Sequence, residues 1–353
     1  MSPTSRAFMH RLGLSVPIVQ APMAGFQASA LAIAVGGAGA LGSLAAALLT
    51  PQMLRDEAAA VRSHAGRPLN VNFFCHRPAA VDESREQAWR AALRPYYEEF
   101  GVDPDALATG PARLPFGDDA ASVVEELRPE VVSFHFGLPP PGLLERVRRT
   151  GAQIWSTATT VDEALWLEAH GVDAVIAQGL EAGGHRGMFL TDDLTTQLGT
   201  MALVPQVVAA TRLPVIAAGG IADASGVAAA LRLGAVAVQV GTAFLLCPEV
   251  TASAVHREAL ASEAARHTAV TNLFTGRPAR GIVNRLMREL GPLSGLPPAF
   301  PLAVNALMPL RAAAEKAGRA DFSPLWSGQN ARGARRVPAA DIVRDMAAKS
   351  ESL

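Results

Sequence analysis

Eight short apolar segments recur along the chain, at 18–23, 38–44, 68–74, 130–136, 152–159, 172–178, 214–219 and 235–242. Each is rich in β-branched or small residues, and most are followed by a turn and a stretch of helical character. That alternation buries a parallel sheet under helices. Eight parallel strands close into a barrel, so the expected fold class is α/β, a (β/α)8 barrel of the TIM type. Such a barrel needs roughly 250 residues, fewer than the 353 present, and two connections are too long to be simple. Residues 76–129 hold a helical piece at 81–100 and a Pro/Gly-rich loop at 101–117, and residues 248–325 read as mostly helical around a Pro/Gly-rich centre at 291–301. Long structureless loops are uncommon in compact domains. Both insertions are therefore expected to cap the mouth of a barrel spanning 1–247, with 248–325 as a mostly helical cap. The stretch 326–353 returns to the barrel and contains a closing helix at 338–349.

Charged residues make up only 18% of the chain and the net charge is −1, which gives no footprint for nucleic acid or an anionic membrane surface. No charged residue occurs between Arg11 and Arg55, and 30–49 is long enough to cross a bilayer. That stretch contains Gly36, Gly37, Gly39 and Gly42, lacks flanking bases and follows Pro17, Gln20 and Pro22. It reads as a buried helix, turn and strand, and for the same reasons not as a signal peptide. Cys75 and Cys247 are the only cysteines and each ends an apolar run. Neither a disulfide framework nor a zinc site is encoded, and a reduced cytoplasm is the expected compartment.

Glycines cluster where three of the apolar segments end. Ala177 to Gly187 reads AQGLEAGGHRG, 213–221 reads LPVIAAGGI, and 235–242 reads AVAVQVGT. After the seventh and eighth strands of a parallel barrel, phosphate is commonly held by backbone amides that glycine lets a ligand approach. Gly219, Gly220, Gln239, Gly241 and Thr242 suit a monophosphate there. Asp223 reads as the N-cap of the following helix. His185, in the first glycine loop, is placed to act as a general base or to hold an anionic substrate, its ordinary pKa being roughly 6.5. Gln178 ends its strand and suits a planar heterocycle, Glu181 is expected to stabilise the turn, and Arg186 reads as a solvated surface charge.

Alternate residues of a strand face opposite sides, so Asn70 and Asn72 share one face of 68–74, and Ser133 and His135 share one face of 130–136. Turned into the barrel, Asn70 and Ser133 are expected to satisfy core hydrogen bonds. Asn72 and His135 lie nearer the strand ends and point to the site. The run Gly37-Ala38-Gly39-Ala40-Leu41-Gly42 matches the G-x-G-x-x-G dinucleotide pattern. That motif requires a strand before it and a helix after it, whereas here the helix-like run comes first. These glycines therefore read as a helix stop and turn. No Walker loop, H-E-x-x-H, G-x-S-x-G or metal cluster occurs, and no metal is expected.

The segments VQAPMAG (19–25), NVNFFCH (70–76), FHFGLP (134–139), EAGGHRG (181–187) and LWSGQ (325–329) together resemble the nitronate monooxygenase family, formerly the 2-nitropropane dioxygenases. The similarity runs in order over nearly the whole chain. It implies non-covalent FMN at the C-terminal mouth of the barrel. It also implies oxidation of alkyl nitronates, of the propionate 3-nitronate type, by O2 to a carbonyl compound and nitrite, through one-electron transfer to the flavin. On the matching positions, Met23, Asn72, Gln178 and Gly183 would line the flavin. Gly219, Gly220, Gln239, Gly241 and Thr242 would hold its phosphate, and Ser327, Gly328 and Gln329 would close over the ring. His185 corresponds to the family's active-site histidine, with His135 and Phe300 as further substrate contacts. One departure stands out. Where the family carries a Tyr-Pro element, this chain has Ala299-Phe300-Pro301, and its only tyrosines are Tyr96 and Tyr97. Two other readings fit the same scaffold: an NAD(P)H-dependent FMN reductase of quinones or enoyl thioesters, and an FMN- or phosphate-binding protein without turnover.

Overall fold

The computed structural model describes residues 1–64, 68–103 and 113–348. Its strands are β1 (Ile18–Gln20), β2 (Gly42–Ala45), β3 (Leu69–Phe74), β4 (Val131–His135), β5 (Gln153–Ala158), β6 (Ala174–Gln178), a two-residue β7 (Gly184–His185), β8 (Val215–Ala218), β9 (Ala237–Val240), β10 (Thr268–Thr271) and β11 (Ala279–Ile282). Eight of them form one parallel sheet in the order β1-β9-β8-β6-β5-β4-β3-β2. A parallel bridge between Val19 and Leu41 joins the two ends, with Gln20 N donating to Leu41 O at 2.9 Å. The sheet is thereby a (β/α)8 barrel.

Seven of the eight expected segments contain their strand. The second begins later than 38, because Gly39 (φ +86°) makes a turn whose carbonyl accepts from Ser15 N and Val16 N. The pairing of β2 starts only beyond that turn. The order of elements around the G-x-G-x-x-G run is helix Ser29–Gly37, turn, β2, the reverse of a dinucleotide site. Gly42 lets strand and helix touch, since a Cβ there would stand 2.5 Å from Ala32 O.

Side-chain alternation sorts the barrel cleanly. Val71, Phe73, Val132, Phe134, Ile154, Val175 and Val238 belong to the layer shared with the outer helices. Val19, Leu41, Val131, Trp155, Ile176 and Ile216 pack inside. The helix Pro3–Leu12 stoppers the barrel floor: Phe8 stacks on Trp155 at 5.5 Å, and Ser5 Oγ donates to Val236 O at 2.6 Å. The polar inward positions meet one another. Asn70 Nδ2 donates to Ser43 Oγ at 3.0 Å, and Asn72 Nδ2 donates to Ser133 Oγ at 3.0 Å.

The two insertions share a second core. Trp89, Leu93 and Tyr97, on the helix Glu83–Phe100, pack with Leu273, Phe274, Leu307, Leu310 and Phe322. Residues 104–112, within the loop expected at 101–117, lie outside the described residues. The second insertion carries the helices Ala254–Ala261, Arg285–Glu289 and Val304–Lys316, together with a hairpin that sequence reading missed. Antiparallel β10 and β11 form it, and β11 pairs in turn with β7, setting Ala279 opposite His185. The closing helix is Ala339–Ala347, laid against the helices Ser29–Gly37 and Ala224–Arg232. Lys349, at its expected end, lies outside the described residues. No helix among the described residues is long and apolar enough to cross a membrane.

Candidate active site

A cleft of about 1310 Å3, part of it open to solvent, lies at the C-terminal ends of the barrel strands. Met23, Asn72, Gln178, Gly183, Gly219, Gly220, Gln239, Gly241, Thr242 and Gly328 line it with His135 and His185, which brings together nearly every residue singled out from the sequence. Ser327 and Gln329 do not line it. The C-terminal stretch enters instead through Trp326, Gly328 and Asn330.

The loop after β6 is built around one buried and one half-buried charge. Arg186, read from sequence as a surface residue, is fully buried: Nη2 donates to Gln178 O and Nη1 to Gly179 O, both at 2.7 Å, and Nε donates to Gln197 Oε1 at 3.0 Å. Its fork ties down the carbonyls at the strand end, of which Gly179 O also accepts from Ala182 N at 3.1 Å. Glu181 holds the turn as expected, because its carboxylate accepts from Thr200 N and Thr200 Oγ1 at 2.8 Å, capping the helix Thr200–Ala210. Asp223 likewise caps its helix, accepting from Gly226 N at 2.8 Å.

His185 is fixed by its backbone and by one ring nitrogen. Its carbonyl accepts from Gln178 Nε2 at 3.0 Å and from His135 Nε2 at 3.2 Å. A carbonyl only accepts, so His135 carries its proton on Nε2, and its Nδ1 accepts from the Thr157 hydroxyl at 3.0 Å. Both nitrogens of His135 are therefore engaged by protein. Burial pushes His135 down to about 3. The ring of His185 lies among Phe300 (5.3 Å), Trp326 (5.6 Å), Phe136 (6.0 Å) and Phe74 (6.1 Å). Its Nε2 lies 3.0 Å from Thr275 Oγ1, and that hydroxyl in turn reaches Arg277 O at 3.4 Å. The same oxygen also lies 3.4 Å from Arg277 N, so the turn of the Thr275 hydroxyl sets the tautomer: with its proton on Arg277 O, Thr275 accepts from an Nε2–H and Nδ1, which has no partner among the described residues, is the free acceptor. Burial holds the His185 pKa well below 6.5, reinforced by the positive charge of Arg113, by His135 and by Arg277.

The opposite side of the cleft is a backbone cradle. Gly219 (φ +118°) and Gly220 (φ +71°) end β8 in the left-handed region, and Thr242 opens the short turn Thr242–Phe244 after β9. Thr242 Oγ1 accepts from Gly328 N at 2.9 Å, so its hydroxyl proton remains available to an anion. Gln239 Oε1 is buried without a hydrogen-bond partner, which matches a ligand that brings its own donor. The segment carrying Gly328 is laced across both sides: Gln329 N donates to Glu181 O at 2.9 Å, and Asn330 Nδ2 donates to Gly220 O at 2.9 Å. Gly183 and Gly328 face each other so closely that a Cβ on Gly183 would stand 2.5 Å from Gly328 N. Among the described residues, no group of three or more His, Cys, Asp or Glu could hold a metal ion.

Two guanidinium groups complete the site, and sequence reading passed over both. Arg113 lines the cleft with Nη1 buried and unpaired. Arg277 lies over the Phe136 ring at 4.0 Å and donates to Met188 O.

A sequence model described as nitronate monooxygenase matches residues 6–349. The nitronate monooxygenase of Pseudomonas aeruginosa is 44% identical over 96% of this chain and 97% of its own length, and that of Paraburkholderia phytofirmans is 43% identical over 97% and 94%. Among solved structures, nitroalkane oxidase from Streptomyces ansochromogenes superposes with a TM-score of 0.88 at 40% identity, covering 98% of each chain. With the same barrel, a match over almost the full length and relatives above 40% identity, the chain belongs to the nitronate monooxygenase family.

Proposed function

We propose that this chain oxidises alkyl nitronates of the propionate 3-nitronate type with O2, giving a carbonyl compound and nitrite, with FMN held at the barrel mouth. Family membership makes it a flavin-dependent oxidoreductase of nitronates. The observation that carries the finer reading is the setting of His185: a ring whose Nδ1 has no partner among the described residues, surrounded by aromatic side chains and set over a cleft with a free amide oxygen and a glycine cradle.

The residues present fit FMN. Gly219, Gly220, Gly241 and Thr242 would take its phosphate at the ends of β8 and β9, where backbone amides and one hydroxyl converge. Gln239 Oε1 would accept from a donor on the ring system, with Met23, Asn72, Gln178 and Gly183 alongside. Bound there, FMN supplies the electron acceptor. His185 would accept the α-proton of a neutral nitroalkane at Nδ1, with an Nε2–H donated to Thr275 in the tautomer that this role requires. His135 acts by holding the His185 main chain. Phe300, Phe136 and Trp326 shield part of the ring from water, which favours its neutral form.

Anaerobic mixing of the purified protein with propionate 3-nitronate and, separately, with NADH tests the reading by the bleaching of the flavin band. Reduction by the nitronate and not by NADH, followed by nitrite release on admitting O2, is expected. Reduction by NADH alone would move the chain to the reductase alternative.

A further inference from the structure

We propose that Arg113 is the substrate anchor of this site, gripping a planar two-oxygen anion with its guanidinium fork. The inference takes the nitronate reading above as the identity of that anion.

A nitronate presents two oxygens on one planar nitrogen, the same outline as a carboxylate. His185 is a poor source of the opposite charge, because burial and the cations around it favour its neutral form. Phe300 packs beside His185 and has no polar atom to offer. A guanidinium matches such an anion through two parallel N–H bonds, whereas an ammonium offers only a point charge.

Two guanidinium groups near His185 are candidates, and their surroundings differ. Arg277, whose Nε is also buried without an acceptor, does not line the cleft, and it stacks on Phe136, donates to Met188 O and feels the carboxylates of Asp192 and Glu163. Arg113 shares none of those three contacts. Its Nη1 is buried without an acceptor, and the other charge that acts on it is a second cation, Arg311. Leaving a buried guanidinium unpaired is costly, and that cost is recovered when an anion arrives. Arg113 lines the same cleft as His185 and exerts the largest charge effect upon it. His76 and His135, also close by, are pushed to about 4 and about 3, so neither competes as a cation near neutrality. An anion gripped by Arg113 therefore lies within the field of the proton-accepting ring.

The test uses the FMN-loaded enzyme and the variants Arg113→Met and Arg113→Lys. Nitrate and propanoate, two unreactive planar anions, are titrated by calorimetry, and steady-state kinetics are taken with ethyl nitronate, propionate 3-nitronate and neutral nitroethane. Charge-assisted hydrogen bonds of this kind correspond to about 10- to 100-fold in affinity. Arg113→Met should weaken anion binding by that factor and raise KM for nitronates in step, while KM for nitroethane moves by less than about threefold, and Arg113→Lys should recover part of the loss. A loss shared by nitrate and ethyl nitronate puts the nitronate end in the fork. A loss confined to propanoate and propionate 3-nitronate puts a carboxylate there, and either supports the anchor. If a folded, FMN-retaining Arg113→Met or Arg113→Lys binds every anion as the parent does, the anchor is wrong. Arg113-dependent anion binding in a protein that fails to oxidise nitronates would overturn the functional reading and leave the anchor standing.

Discussion

The imidazole of His135 donates to the main-chain carbonyl of His185 at 3.2 Å, so one histidine sets the backbone on which the other is carried. Gln178 donates to the same oxygen at 3.0 Å. Replacing His135 with alanine should therefore loosen His185 without freeing it. The expected result is a loss of about 1–3 kcal/mol in unfolding free energy, the range for a buried hydrogen-bond partner left unsatisfied. A fall in kcat larger than the change in KM should accompany it. Denaturant titration and steady-state kinetics check both, and an unchanged kcat would show that Gln178 suffices.

Substitution of His185 by asparagine separates the two forms of substrate. A neutral nitroalkane must lose its α-proton, and a positioned base is typically worth about 10²–10⁴-fold. A preformed nitronate has already lost it. His185→Asn should lose that factor on nitroethane and much less on ethyl nitronate. Because the His185 pKa is held well below 6.5, the base form persists through neutrality, so kcat/KM on nitroethane should stay flat from about pH 8 to pH 6 and decline only in more acid solution. A decline as pH rises through 6.5 would falsify the base assignment.

The buried histidines also tie stability to pH, and the direction follows from their shifts. His76 and His256 titrate at about 4 and His135 at about 3 in the folded chain, each below the ordinary 6.5. In acid the unfolded chain takes up these protons first, so stability is lost as pH falls through 6.5 and the loss continues down to the folded values. Each histidine contributes about 1.4 kcal/mol per pH unit within that window. Urea midpoints at pH 7, 6 and 5 should fall progressively. The variant His256→Gln should show a shallower slope, and an identical slope would remove His256 from the account.

Gln239 is open to a two-way measurement. Its Oε1 is buried without a partner, so Gln239→Leu removes an unsatisfied polar atom from the apoprotein and a hydrogen-bond acceptor from the cofactor-loaded form. The apoprotein should unfold no more easily than the parent, while FMN affinity, read by fluorescence quenching, should drop by about three- to tenfold. FMN binding as tight as in the parent would mean that the oxygen faces no donor on the cofactor. Heat should release FMN and not FAD from the parent protein.

The barrel was legible because its information is local. Alternating apolar residues, β-branched runs and glycines at strand ends mark each strand without reference to any other, and the inward parity of Asn72 and His135 follows from the same rule. Arg186 was misread because two of its three partners are the carbonyls of Gln178 and Gly179, atoms that every residue possesses, and the third is Gln197. The pairing of β7 with β11 was invisible for a different reason. Two residues carry no period, and their partner lies about a quarter of the chain away, in a hairpin whose sequence, Ala-Arg-Gly-Ile, does not alternate. Arg113 sits at the edge of a Pro/Gly-rich loop, where no pattern indicates which way a side chain turns.

The pairing of β7 with β11 makes the strand that bears His185 part of the insertion as much as of the barrel. Thr275, the hydrogen-bond partner of the His185 ring, lies in that insertion, and Trp326, packed against the ring, bridges to β11 through Gly281. Cap and chemistry are consequently not interchangeable modules. Grafting residues 248–325 from a relative to alter substrate range would also reset the position and hydrogen bonding of His185. Diversification of this scaffold is thus constrained to proceed by paired changes on the two sides of one short sheet.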